Sequence, residues 1–220
     1  MKEASEHIED LINEIDSTIE VSYDSGLGRS LTCKTKWVRV GSIVTDSQGN
    51  EFVVTEVVDD EYIVAGNADG VLNIPNPFFA TGTKLATNSE WTMADPNLNN
   101  KTPLVWLLEI ISERGYGRGS TFDSEIDVRM FFLDQTDPTQ YYTKDHRKNV
   151  VKPMQKLMKA FLDVVEKNRN YQTVEDYRFK TFARFGEESD RGVLRNILDA
   201  NLSGVALELN LTRYKENCKC

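Results

Sequence analysis

Long apolar runs are missing from this 220-residue chain. No stretch approaches the roughly 18 consecutive apolar residues that a membrane-spanning helix needs, so no membrane partner is expected. Cysteine is scarce: Cys33, Cys218 and Cys220 are an odd set without framework spacing, which points to reduced thiols in an intracellular setting. The Cys218-Lys219-Cys220 tail offers two thiols where a zinc site uses four ligands, so no metal is expected there. Histidine is limited to His7 and His146, which leaves little material for general acid–base work. Basic charge is also in deficit, with 26 Lys and Arg against 35 Asp and Glu and a net charge of −9. That balance argues against a general basic surface for tight nucleic-acid binding. The N-terminus is acidic and no apolar core follows it, so no signal peptide is expected.

What is present suits an ordinary soluble chain, with 40% hydrophobic and 28% charged residues. The charge is unevenly spread. Residues 1–24 carry eight acids against Lys2 alone, whereas residues 144–184 carry eleven Lys and Arg against five acids. An acidic arm and a basic mid-section are either complementary flanks for neighbouring copies or two solvated faces.

One stretch organises the rest. Between Thr143 and Arg169, Val150, Met154, Leu157, Met158, Phe161, Leu162 and Val165 recur at helical spacing. Thr143 is placed to cap the helix, Asp145 suits its positive end, and Lys167 and Arg169 suit its negative end. Pro153 lacks the amide that would bond Asn149, so a kink is expected there. Residues 3–16 read as a short amphipathic helix and Thr18–Tyr23 as a strand. From Trp37 the texture becomes short β-rich runs: Trp37–Val40, Ile43–Thr45, Phe52–Val58, Tyr62–Ala65 and Lys84–Thr87. Leu104–Ile111, Ile126–Leu133, Tyr177–Phe185 and Val205–Leu211 read as longer strands, the third with Tyr177, Phe179, Thr181, Ala183 and Phe185 on one side. Glu187–Asn201 reads as a polar connection with a helical stretch at Val193–Leu198. The expected architecture is α+β: an antiparallel sheet packed by a long kinked helix, built from residues 1–36 and 95–220. Residues 37–94 form an inserted small β-barrel or sandwich module.

Candidate chemistry is thin. Asp134, Asp137 and His146 lie close in sequence and could serve a hydrolase or nuclease. Each also has a structural reading: Asp137-Pro138 is a turn, and His146 sits in the first turn of a helix. Gly115-Tyr116-Gly117-Arg118-Gly119-Ser120 has neither Walker spacing nor a following Lys-Ser/Thr. It reads instead as a flexible loop whose Tyr116 and Arg118 could meet a partner or a DNA phosphate. Phe78 and Phe79, beside Pro77 in a Pro/Gly-rich loop, are candidate interface residues. Trp37, Trp91 and Trp106 read as packing residues. No cofactor or catalytic residue is expected.

From about residue 103 onward the chain resembles neck proteins of tailed bacteriophages, the head-to-tail connector rings and tail terminators. The resemblance lies in Phe131-Phe132-Leu133-Asp134 running through an Asp-Pro turn and Tyr141-Tyr142-Thr143 into a helix with Val151-Lys152-Pro153-Met154. Two strands follow, the last opened by Asp199-Ala200-Asn201-Leu202-Ser203-Gly204-Val205. Pro77–Thr83 and Ala86–Glu90 are similar to segments in neck proteins of crAss-like phages. The inserted β module departs from minimal terminators. The resemblance implies a virion protein made in the host bacterial cytoplasm, a structural subunit of a homo-oligomeric ring of six or twelve copies. Its partners would be portal, neighbouring neck or tail proteins, with transient non-specific contact to DNA passing through the lumen. An overall acidic lining suits DNA that must slide, because every cation neutralising a phosphate adds affinity. A cytosolic adaptor that holds a peptide with its β module is the alternative.

Overall fold

A computed structural model describes residues 4–82, 101–108, 112–116, 123–171, 176–185, 187–190, 193–196, 198 and 200–213. The fold is α+β, with mostly antiparallel sheets and one 24-residue helical run from Lys144 to Lys167. The chain opens with α1 (Ala4–Asn13), whose Ile8, Leu11 and Ile12 face inward. Then come β1 (Thr18–Asp24), β2 (Arg29–Leu31), β3 (Ile43–Asp46), β4 (Glu51–Val53), β5 (Glu56–Val58), β6 (Tyr62–Val64) and β7 (Gly70–Asn73). These seven strands form one sheet in the order β4-β3-β7-β1-β2-β6-β5. Its two end strands, β4 and β5, are separated in the chain by Val54 and Thr55 alone.

The second sheet is built from β8 (Phe78–Gly82), β9 (Leu104–Leu108), β10 (Ser112–Tyr116), β11 (Asp123–Gln135), β12 (Tyr177–Phe185) and β15 (Leu202–Arg213). Its order is β12-β15-β11-β9-β8, with β10 beside β11. Between β12 and β15 lies a hairpin, β13 (Glu187–Asp190) with β14 (Val193–Asn196). The helical run begins with an α turn at Lys144–His146, passes through a π turn at Arg147–Val151, and continues as α2 (Lys152–Lys167). Thr143 caps it, its Oγ1 accepting from the His146 amide at 3.0 Å. Pro153 has no amide to give Asn149, and the wider turn lies immediately before it.

Both sheets share one apolar core. Val44, Ile63 and Leu72 of the first sheet belong to the same cluster as Phe132, Leu207, Phe161 and Met158 of the second sheet and helix. Inward residues of β11 (Ile126, Val128, Met130, Phe132) alternate as the sequence indicates, and all four are buried. A smaller cluster, with Leu104, Trp106, Leu133, Phe185 and Leu202, forms against the opposite face of the second sheet.

Several expectations are corrected. Trp37–Val40 is turn and irregular chain, not a strand: its neighbourhood bonds locally, Val38 donating to the Thr35 carbonyl and Ser42 to the Arg39 carbonyl, instead of to a ladder partner. The single strand at Phe52–Val58 is two, β4 and β5, which pair with different neighbours. Within the stretch expected to be helical, Val193–Asn196 is a strand. Asp190 pairs with Val193 across a two-residue connection containing a glycine, and hairpin geometry prevails over weak helical periodicity. Strands β1 and β2, outside residues 37–94, belong to the seven-stranded sheet, while β8, inside that range, pairs in parallel with β9 of the other sheet. The strand expected at Lys84–Thr87 lies outside the described residues.

Candidate interaction surface

The titratable residues that could have suggested catalysis are each tied into the frame. Asp134, at the end of β11, is 1% exposed and ion-paired with the Arg39 Nε. Its other oxygen accepts from the Gln135 amide at 2.7 Å. Burial pushes its pKa above the ordinary carboxylate range against the opposing pull of Arg39. Asp137 caps a 3-10 turn (Pro138–Gln140), accepting from the Thr139 amide at 2.8 Å. His146 is buried and lies edge-on to Tyr141, ring centres 5.8 Å apart. Burial pushes its imidazole below the ordinary range. No group of three or more metal-ligating side chains occurs among the described residues. Cys33 is exposed and unpaired, and Cys218 and Cys220 lie outside the described residues.

The basic mid-section is partly consumed inside the chain. Lys152 and Lys156 on α2 reach the β5–β6 turn of the first sheet, where both pair with Asp59 and Lys156 also pairs with Asp60 at 2.7 Å. Burial pushes the Asp59 carboxyl up, but the hydrogen bonds and charge of the two lysines outweigh it and hold the pKa below the ordinary value. The acidic arm is not loose either: α1 packs against α2 and β8, and Glu14 accepts from the Asn168 amide group at 3.4 Å. Cations farther along keep an outward role.

That role centres on β12, a strand of nine residues that lies at the sheet edge among the described residues, paired on one side to β15. Tyr177 and Phe179 register opposite Leu209 and Leu207, so they face the helical side of the sheet. The helix covers Leu207 and Leu209 but stops short of the edge, leaving Tyr177 39% and Phe179 51% exposed. Their rings lean on each other with centres 6.5 Å apart. A register shift between Phe182 and Phe185 puts Phe185 with Leu202 in the opposite cluster. A bulge adds a residue and reverses which side the chain presents. The sequence reading that put Tyr177, Phe179, Thr181, Ala183 and Phe185 on one side is therefore corrected at Phe185.

The opposite face of the same strand carries Arg178 and Lys180 beside Arg129 and Glu208. Arg129 and Glu208, directly opposed on β11 and β15, form an ion pair at 2.5 Å. Lys180 lies over the Phe182 ring at 5.1 Å, and Arg184 over Tyr141 at 4.7 Å. Two grooves open here, of about 560 and 300 Å³, sharing Arg129, Arg178 and Glu208 in their walls. The arrangement of exposed aromatics, cations and an open strand edge is suited to gripping another macromolecule.

The sequence-derived interface candidates fall elsewhere. Phe78 and Phe79 are not in a loop: they open β8, pair with Leu104 and Val105, and are half-buried against the two apolar clusters. Tyr116 ends β10 opposite Asp123 rather than lying in a free loop, because β11 extends far enough to pair with it. Arg118 lies outside the described residues. Sequence reasoning missed Arg178, Phe179 and Lys180 because a period-2 pattern marks faces without saying how far a helix reaches. Compared with protein-family models, curated proteins and solved structures, the chain matches none.

Proposed function

We propose that this chain is a structural, non-enzymatic subunit of a homo-oligomeric ring in the neck of a tailed bacteriophage, joining portal and head to tail around the DNA channel. The observation that carries the reading is the open second sheet. Its β12 edge bears outward aromatics and cations, on a subunit whose Asp134, Asp137 and His146 are occupied by packing and capping. A ring needs heterologous contacts, in which one flank meets a different flank of the next copy. Among the described residues, the edge strands β12 and β8 of this sheet differ in charge, as such a contact demands: β12 carries Arg178, Lys180 and Arg184, and β8 no charged side chain. The resemblance in residues 103 onward supplies the setting, in the virion after synthesis in the host cytoplasm.

We also infer that the seven-stranded sheet closes on itself as a small barrel. Its end strands are consecutive in the chain. Val54 bonds to Gly41 and Ser42 beside β3, and the next residue, Thr55, donates to Val64 of β6. Such a module would serve as the stacking surface toward a neighbouring ring.

Negative-stain imaging and light scattering of the purified chain, alone and with portal or tail partners, test the reading. Closed rings of one size are the expected result. A monomer at every concentration, unchanged by any of those partners, refutes it. The adaptor reading draws on the directly opposed Ile43 and Val53, which are 39% and 57% exposed on the first sheet. It predicts that substituting this pair with Ser abolishes partner binding while leaving the oligomeric state unchanged.

A further inference from the structure

We propose that the smaller groove on the second sheet, on the face turned away from the helix, is a site for a nucleotide unit: a planar base with an adjoining phosphate. The inference stands apart from the ring reading, because every residue that shapes the groove belongs to one subunit.

The groove follows from three neighbouring strands in register. On that face, Arg129 of β11, Glu208 of β15 and Arg178 of β12 lie side by side. One step along, the same strands present Phe131, Ala206 and Lys180, and a further step puts Gly204 beside Phe182. The middle strand thus carries only Ala206 and Gly204 where its neighbours carry aromatic rings and a long cation, and the surface dips there. The depression measures about 300 Å³, at the lower end of the range for small-ligand sites. Phe131 and Phe182 are half-buried with ring centres 6.2 Å apart, and Phe131 is backed by Trp106 at 5.5 Å. Rings held in this way lose little freedom when a ligand stacks on them.

The charges around the floor do not cancel. Glu208 stands between Arg129 and Arg178 and is ion-paired with Arg129. One carboxylate cannot neutralise two guanidinium groups, and Lys180 adds a third cation, its Nζ 5.1 Å from the centre of the Phe182 ring. Among the described residues the groove has three cations and one acid in its walls. A neutral apolar ligand would leave that surplus unanswered, and a simple anion would leave the aromatic floor wet. A nucleotide unit meets both demands: its base lies over Ala206 against Phe131, and its phosphate meets Arg178 and Lys180. The larger groove along the same strands sets Asp127, Asp176 and Glu208 beside Arg129 and Arg178. Its acids repel phosphate, which confines the anion to the Lys180 end.

The same unit can come as a free nucleotide or within a single-stranded nucleic acid. The test measures fluorescence anisotropy of a labelled oligothymidylate of about ten nucleotides with the full-length chain at about 50 mM salt. Adenosine monophosphate and an oligoglutamate serve as competitors. Binding is expected with a Kd between about 10⁻⁴ and 10⁻⁶ M. Arg178→Gln and Lys180→Gln are each expected to weaken it several-fold and to flatten the log–log salt dependence by about 0.7, the contribution of one phosphate contact on a single strand. Ala206→Leu fills the dip without touching a charge and is expected to weaken binding at least about tenfold. Thermal melts check folding, and the two exposed cation positions carry the test where Ala206→Leu lowers the melt.

Competition by the mononucleotide assigns the site to free nucleotides, and competition by longer strands alone assigns it to nucleic acid; either result supports the inference. An oligoglutamate that competes as well as the strand overturns it, since charge alone would then suffice. Binding unchanged by folded Ala206→Leu or by both cation variants overturns it, as does a folded wild type that binds neither strand nor mononucleotide.

Discussion

Replacing Arg39 by Met would remove the cation that faces the buried Asp134 carboxylate. Arg39 comes from the segment between β2 and β3, and Asp134 from the end of β11, so the pair ties the first sheet to the second. The guanidinium also reaches Thr102 at 3.5 Å. Breaking one half of a buried ion pair typically costs about 3–5 kcal/mol, because the remaining charge is left without compensation. The Arg39 side chain is 18% exposed, so the lower end, about 3 kcal/mol, is expected. The cost depends on pH in a definite direction. Burial raises the Asp134 pKa in the folded state and Arg39 opposes that rise. Without Arg39 the folded state binds the proton more tightly than the unfolded state does. The group then favours folding most below the unfolded carboxylate pKa, and that contribution is lost as pH rises through the raised folded value. The deficit of Arg39→Met should therefore be largest near neutral pH and smallest near pH 4. Urea unfolding followed by fluorescence across that range measures it. The double variant Arg39→Met, Asp134→Leu should recover most of the loss, since an apolar pair avoids desolvation. A cost below about 1 kcal/mol, or one that does not vary with pH, would refute the reasoning.

Gly204 in β15 lies so close to β11 that an added Cβ would stand 1.9 Å from the Phe132 carbonyl oxygen. Gly204→Ala should cost at least the upper end of the roughly 1–3 kcal/mol typical of overpacking, read from denaturant midpoints. Phe161 is fully buried on α2 and its ring centre lies 6.0 Å from that of Phe132. Phe161→Ala should cost about 3–5 kcal/mol in the same assay, and an effect under about 1 kcal/mol would mean the helix does not seat there. Lys156→Met removes the cation paired with Asp60 and one of the two paired with Asp59, Lys152 being the other. Because the pair is partly exposed, a loss of about 1 kcal/mol or less is expected, shrinking as salt is added. The depressed carboxyl pKa values make that stabilisation present above the ordinary carboxylate pKa and lost as pH falls below it.

Local elements with periodic, self-contained signals were legible from the residues alone. The Thr143 cap and the apolar stripe through Val165 specify the long helix, because capping and the 3.6-residue period act within a few residues of chain. The alternation of Ile126, Val128, Met130 and Phe132 likewise specifies a strand with one buried face. The α+β class followed from the order of such elements.

Strand pairing, by contrast, is visible in the folded chain alone. Residues 18–31 join the first sheet and Phe78–Gly82 the second, because β-pairing is non-local and short strands of similar composition do not name their neighbours. The folded chain also decides which apolar residues stay outside. Phe179 alternates like any core residue, yet α2 lies over β11 and β15 and leaves that ring half exposed. The candidate surface was thus illegible in advance for a physical reason. Periodicity fixes the direction of a side chain from its own backbone, whereas exposure depends on how far a distant element extends above it.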